Sequence, residues 1–190
     1  NSHKKLIKGL MVNTKNANTF TGKQGKESLD IIAKNLSRIL TLKESKSEGG
    51  TSETVRVKDL IFASTGVIGE QLPYREIINQ FNYLKENLSS YNFEAASNAI
   101  LTTDLKPKTY SKKFKVFNKL FTISGFAKGS GMIFPNMGTM LAFIFTDFAI
   151  NRNILASFTK RAVDESFNRI SVDGDTSTSD SVFVSTTNKK

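Results

Sequence analysis

An α/β layered domain is the architecture this sequence predicts, and three observations carry the prediction. Apolar residues recur at helical spacing in some stretches and form strand-length runs in others, and the two kinds alternate along the chain. The 190 residues suffice for one domain with its own core. A composition of 38% hydrophobic and 10% aromatic residues is that of a globular chain, not a disordered one.

Taken in order, Leu6 to Val12 reads as a strand, ended by the asparagine-rich Asn13 to Asn18, because Asn favours turns. Gly22-Lys23-Gln24-Gly25-Lys26 lacks the spacing of a phosphate-binding loop and reads as a turn. A helix follows over Glu27 to Leu42, since Leu29, Ile32, Leu36, Ile39 and Leu40 share one face. Lys43 to Thr54, with Gly49-Gly50 and scattered charges, is a solvent loop. Val55 to Ala63 is a strand that delivers Ser64-Thr65-Gly66 at its end. Pro73 suits the first turn of a helix that buries Tyr74, Ile77, Ile78, Phe81 and Leu84. Another helix, around Asn92 to Leu101, turns Phe93, Ala96, Ala99 and Ile100 inward and stops before Thr102-Thr103-Asp104 and Pro107. Phe114 to Val116 and Leu120 to Ile123, separated by Phe117-Asn118-Lys119, form a basic-faced hairpin leading to Lys128. Met140 to Phe145 is a buried strand. Asn151 or Asn153 caps a helix running to about Phe167, with Ile154, Leu155, Phe158, Ala162 and Val163 on its apolar stripe. Asp173-Gly174-Asp175 with Asp180 invites a metal loop, but Gly174 stands in the wrong place for calcium. A polar turn between Ile170 to Val172 and a strand over Ser181 to Val184 is preferred.

Composition narrows the chemistry. There is no cysteine and a single histidine, His3. No Cys-His or Ser-His-Asp arrangement, zinc cluster or disulfide framework can be built from these residues. A Ser or Thr nucleophile would need an amine to activate it. The net charge of +10 comes from dispersed lysines without an aromatic nucleic-acid signature, so solvated faces are expected and nucleic acid is not. Met140 to Ile150 is interrupted by Thr146 and Asp147 and is far short of the roughly 20 residues of a membrane span. No membrane segment or secretory leader is recognisable, and the lack of cysteine is compatible with a reducing cytoplasm.

The glycine-rich run Lys128 to Thr139 feeds directly into the strand that starts at Met140. That placement can hold the Thr139 hydroxyl rigidly beside Gly138, a small neighbour whose own carbonyl nothing shields. It is also an ordinary place for a loop threonine, and the residues alone leave both readings open.

Lys128 to Phe143 is similar to the autoprocessing signature of the ornithine acetyltransferases, also called glutamate N-acetyltransferases, of the cyclic arginine pathway. That signature runs approximately KGSGMIxPNMATMLAF, and this chain departs from it by Phe134 at a variable place and Gly138 for alanine. Four further blocks resemble the family in family order: Val12 to Asn18, Ala63 to Gly69, Thr102 to Asp104, and Val172 to Thr178. The chain reads as about half of a family member, part of one autoprocessed enzyme, and so a fragment of it.

The resemblance implies the layered, N-terminal-nucleophile-like α/β fold of that family. It implies self-cleavage between Gly138 and Thr139, so that residues 1–138 close an α chain and 139–190 begin a β chain. Thr139 is then the catalytic threonine and also touches substrate, while Thr65 and Gly66 form the oxyanion hole. Lys128 and one of Thr102 and Thr103 bind substrate; without the family, Lys128 reads as a surface lysine and the threonines as a helix end. The reaction implied is ping-pong transfer of acetyl from N-acetylornithine to glutamate, without metal or bound cofactor. Members differ in whether acetyl-CoA is a further donor. The partners implied are the α and β chains of one precursor in a cytoplasmic heterotetramer. Two alternatives stay open at this point: a related amidase or aminopeptidase that delivers the acyl group to water, and an inactive fragment.

Overall fold

Leu141, Ala142 and Phe143 are almost wholly removed from solvent, at 0%, 1% and 0% exposure, which marks their strand as the centre of a sheet. In the computed structural model, which describes residues 6–41, 54–133, 140–175, 177 and 179–187, this is strand β5, Leu141–Thr146. The chain forms two compact units, Asn1–Asn92 and Phe93–Lys190.

In the first unit, β1 (Gly9–Asn13) and β2 (Leu60–Ser64) pair in parallel, Gly9 opposite Leu60 and Asn13 opposite Ser64. The helix α1 (Gly22–Thr41) connects them, as a parallel pair requires. Ile32, Leu72 and Phe81 form the core here, with Met11, Leu36, Ile39, Phe62, Tyr74, Ile77 and Ile78 against it. Two short helices follow Pro73: α2 (Tyr74–Asn79) and α3 (Phe81–Glu86).

In the second unit, α4 (Phe93–Ala99) precedes a hairpin of β3 (Lys108–Val116) and β4 (Lys119–Lys128). Its two-residue turn places Phe117 and Asn118 at φ +43° and +64°, the pair of positive values that matches strand twist. β5 joins β4 antiparallel, and α5 (Arg152–Glu165) then carries the chain across to β6 (Ser181–Thr186), parallel to β5. The sheet order is β3-β4-β5-β6. Phe126, Phe143 and Phe183 stand opposite one another on three adjacent strands, with ring centroids 5.3 and 5.4 Å apart. Full burial of one such side chain is worth roughly 1.5–3 kcal/mol, so this ladder fixes the strands whose ends carry the motif.

Several expectations are corrected. Helix α1 starts at Gly22, five residues ahead of Glu27. Gly25 is buried within it because Asn18 and Thr21 pack where a β-carbon would lie, at 2.5 Å and 1.9 Å. Val57–Asp59 is a 3₁₀ turn and not strand, since Asp59 accepts from the Arg56 N–H at 3.1 Å and the Arg56 Nε at 3.0 Å. Leu84 is exposed. In α4 the buried residue is Ser97, with Ile100 just beyond, while Ala96 and Ala99 face out. In α5, capped by Asn151 accepting from the Asn153 N–H, Ile154, Phe158 and Ala162 are exposed and Leu155 and Val163 half-buried. An apolar stripe fixes which face is apolar, not whether a neighbour covers it. The loop expected over Lys43 to Thr54 lies almost entirely outside the described residues. Among the described residues no helix is long and apolar enough to cross a membrane.

Candidate active site

The first cluster forms where β2 ends. Thr65 is wholly buried, and its N–H donates to the Asn13 carbonyl at 3.1 Å. The Val67 N–H donates to the Lys15 carbonyl at 3.2 Å, and among the described residues the Gly66 N–H takes no part in this ladder. Gly66 has φ +135°, and a β-carbon there would lie 2.2 Å from the Lys15 carbonyl carbon. Only glycine fits both constraints. The asparagines of the facing loop hold the corner. Ser64 Oγ donates to Asn13 Oδ1 at 2.6 Å, Asn13 Nδ2 to the Asn16 carbonyl at 2.8 Å, and Asn16 Nδ2 to Glu70 and Gln71 carbonyls at 3.2 Å each. Among the described residues the buried Thr65 hydroxyl has no hydrogen-bond partner. A buried hydroxyl left so costs the fold about 1–3 kcal/mol, which suits a donor kept for an incoming oxygen.

The second cluster forms at one end of the four-stranded sheet. Register places Lys128, Leu141 and Ser181 side by side, so β4 ends where β5 and β6 begin. Lys128 is 3% exposed, and its Nζ donates to Thr102 Oγ1 at 3.0 Å. Burial is the main influence on this ammonium and lowers its pKa; Asp104 and Asp180 oppose that shift, and Lys108 adds to it. Thr103 faces elsewhere, its hydroxyl 2.7 Å from that of Ser130. The two threonines that sequence alone leaves equivalent are therefore distinct, and only Thr102 meets Lys128.

Three aspartates complete this end. Asp104 accepts from the Gly129 N–H at 2.9 Å and pairs with the Lys108 ammonium. Burial raises its pKa, but the Lys108 and Gly129 contacts outweigh that and leave it below the usual value. Asp173 accepts from the N–H groups of Met132 and Ile133, the latter at 2.8 Å, which holds its pKa down. Its carboxylate thus serves a turn, as the position of Gly174 suggests. Met132 sits at φ +54°, unusual outside glycine, and this carboxylate helps to hold it there. Asp180 accepts from the Met140 N–H at 2.6 Å. Burial pushes its pKa up to about 6, against the opposing pull of Met140 and Lys128.

Gly138 and Thr139 lie outside the described residues; Met140, which follows them, is half-buried at the sheet end. The sequence reading missed Asp104 and Asp180 as site residues because a carboxylate bonded to backbone N–H groups leaves no periodic trace. Their signal was adjacency: Asp104 closes one family-like block, and Asp180 stands just past another. Four blocks read as separate along the chain thus meet in two clusters, with Thr102 to Asp104 and Val172 to Thr178 both joined to the motif.

Comparison with known proteins gives the following. The ArgJ family model matches residues 1–190. The arginine biosynthesis bifunctional protein ArgJ of Bartonella quintana (strain Toulouse) is 42% identical over 184 residues, covering 97% of this chain and 42% of that protein. The chain thus spans about two fifths of the length of the curated relatives it matches. A crystal structure of the arginine biosynthesis bifunctional protein argJ from Bacillus halodurans superimposes with a TM-score of 0.53 at 31% identity, over 67% of this chain and 60% of that one. A crystal structure of ornithine acetyltransferase complexed with ornithine, from Mycobacterium tuberculosis, has a TM-score of 0.51 at 24% identity, over 69% of this chain and 62% of that one, and shares the fold. The α/β fold is that of these structures.

Proposed function

The chain belongs to the ArgJ family, and from that premise we propose that it carries the cleavage bond and nucleophile of an acetyltransferase of arginine biosynthesis. The Thr139 hydroxyl attacks the Gly138 carbonyl, the acyl group shifts from nitrogen to oxygen, and water hydrolyses the resulting ester. Thr139 then begins a new chain with a free α-amine. Such an amine titrates near 7.7–8.0 in model peptides, so at neutral pH it can take the proton from its own hydroxyl. That replaces the histidine that the usual serine nucleophile relies on.

In turnover, the Thr139 oxygen attacks the acetyl carbon of N-acetylornithine, and ornithine leaves with the proton. The amine of glutamate then attacks the acetyl ester, N-acetylglutamate departs, and the hydroxyl is restored. The Thr65 hydroxyl and Gly66 N–H donate to the developing oxyanion. Lys128 with Thr102 receives the α-carboxylate that both substrates carry, and Thr103 has no direct part. The reaction needs no metal or bound cofactor; acetyl-CoA would be a second donor.

The observation that carries this reading is the buried Lys128 ammonium, whose hydrogen bond among the described residues goes to a neutral hydroxyl. A lysine has three donors, so the site retains capacity for an incoming carboxylate. Cleavage would leave β4 on one chain and β5 on the other, still paired from Ile123 with Thr146 to Lys128 with Leu141. That supports a lasting αβ pair; its assembly as a cytoplasmic heterotetramer is what the family resemblance implies.

The test supplies the intact protein with N-acetylornithine and glutamate and measures N-acetylglutamate against free acetate. Stoichiometric N-acetylglutamate is expected. Acetate alone would favour an amidase, and no turnover with either acceptor would refute the reading. The same assay with acetyl-CoA as sole donor decides the second activity.

A further inference from the structure

Val172 to Ser181 takes hold of the motif through its backbone. The Asp173 carboxylate accepts from the Met132 and Ile133 N–H groups, and the Val172 N–H donates to the Ile133 carbonyl at 2.7 Å. At the other side of the 138–139 bond, Asp180 Oδ1 accepts from the Met140 N–H at 2.6 Å, and the Ser181 N–H donates to the Met140 carbonyl at 3.0 Å. One stretch of chain therefore grips the motif both upstream and downstream of the bond to be cut. Met140 has both its backbone polar groups held by consecutive residues.

Resting on the function proposed above, we propose that Asp180 is a positioning residue for cleavage and acyl transfer at Thr139, with Asp173 as its upstream counterpart. The Met140 nitrogen is covalently bonded to the Thr139 carbonyl carbon across a planar peptide. A hold on that nitrogen therefore acts, through one covalent bond, on the residue that carries the nucleophile. A charged acceptor makes the stronger hydrogen bond. After cleavage the same bond anchors the second residue of the new chain, where no upstream peptide remains to restrain it. The other carboxylate oxygen, Oδ2, is buried without a partner among the described residues. A group kept at such a cost to the fold is the pattern expected beside a reacting centre. Displacement of a nucleophile by about 1 Å can cost 10²-fold in rate.

The test follows the cleavage rate of the intact protein by mass spectrometry for wild type, Asp180→Ala and Asp180→Asn, with Asp164→Ala on the exposed face of α5 as control. Asp180→Ala should slow cleavage about 10²-fold. Asp180→Asn, which keeps an oxygen for the Met140 N–H, should recover most of that loss, and the control should match wild type. In matured Asp180→Asn the residual deficit should fall on kcat with KM unchanged, which loosened packing would not produce selectively. Exchange of the Met140 amide, read by NMR, should quicken in Asp180→Ala and not in Asp180→Asn. Wild-type cleavage by Asp180→Ala, or equal slowing by both variants with unaltered Met140 exchange, would overturn the proposal while the functional reading stood. An uncut wild-type protein would overturn both.

Discussion

The Thr65–Gly66 corner and the Lys128 end are both built to hold polar groups at strand ends, yet they use opposite materials. At the corner the scaffold is neutral: asparagine amides donate to backbone carbonyls and accept from the Ser64 hydroxyl, around a glycine that no other residue can replace. At the sheet end the scaffold is charged, with carboxylates from Asp104 and Asp180 bonded to backbone N–H groups near a buried ammonium, and that of Asp173 holding the Met132–Ile133 turn. Amides do not titrate, so the corner keeps its geometry across pH. The charged end gains stronger hydrogen bonds and becomes dependent on pH. On the function proposed, the difference fits the two tasks: a backbone oxyanion donor needs only shape, whereas recognition of a charged substrate group needs charge.

Gly66→Ala tests the neutral half most severely. The new β-carbon meets main chain, which cannot rotate away, at a φ that side chains rarely adopt. A loss of about 3 kcal/mol or more is expected, read as a lowered melting temperature of the intact protein. A melting temperature within error of wild type would show that the corner can open.

Thr65→Val separates chemistry from folding. Valine fills the same volume and removes a buried hydroxyl that has no partner among the described residues, so stability should hold or rise by about 1 kcal/mol. Turnover should still fall by roughly 10²–10³ if the hydroxyl serves the oxyanion. Unchanged turnover, or a change confined to KM, would remove Thr65 from the chemistry.

Lys128→Met does the same for the charged half. It keeps much of the stem and loses the ammonium, so use of N-acetylornithine should weaken by roughly 10²-fold, within the 2–5 kcal/mol typical of a buried charged contact. A decarboxylated donor should be affected far less. Equal losses with both donors would show that Lys128 does not read the carboxylate.

The smallest effect is the pH dependence itself. Asp180 titrates near 6 in the folded chain against an ordinary 3.8, so the fold prefers it protonated. Its contribution is fully present below the ordinary value and is lost as pH rises through about 6. Comparing thermal stability of wild type and Asp180→Asn across this window should show wild type losing ground as pH rises, with the difference levelling off above it. A constant difference would contradict the shifted titration.

Much of this was legible in the sequence, and the failures share a cause. The β3–β4 hairpin and β5 follow from local turn chemistry and apolar runs, and both are present. The start of α1 was hidden because Gly25 is accommodated by Asn18 and Thr21, a contact of tertiary origin that helix propensity does not encode. Val57–Asp59 left the expected strand through an Arg56–Asp59 contact that no strand pattern announces. Thr102 and Thr103 are chemically identical neighbours, and only the fold distinguishes the one that meets Lys128. Asp104 and Asp180 act on backbone amides, which every residue but proline possesses, so no partner residue type signals them.

On the function proposed, Thr139 cuts the chain and then carries the acetyl group. Mass spectrometry of the intact protein and its Thr139→Ala variant tests it most directly. Wild type should give two chains meeting at Gly138 and Thr139, the downstream one gaining the mass of a single acetyl group on exposure to N-acetylornithine alone. Thr139→Ala should stay as one uncut, unacetylated chain. Cleavage of that variant at the same bond would show that Thr139 is not the processing nucleophile.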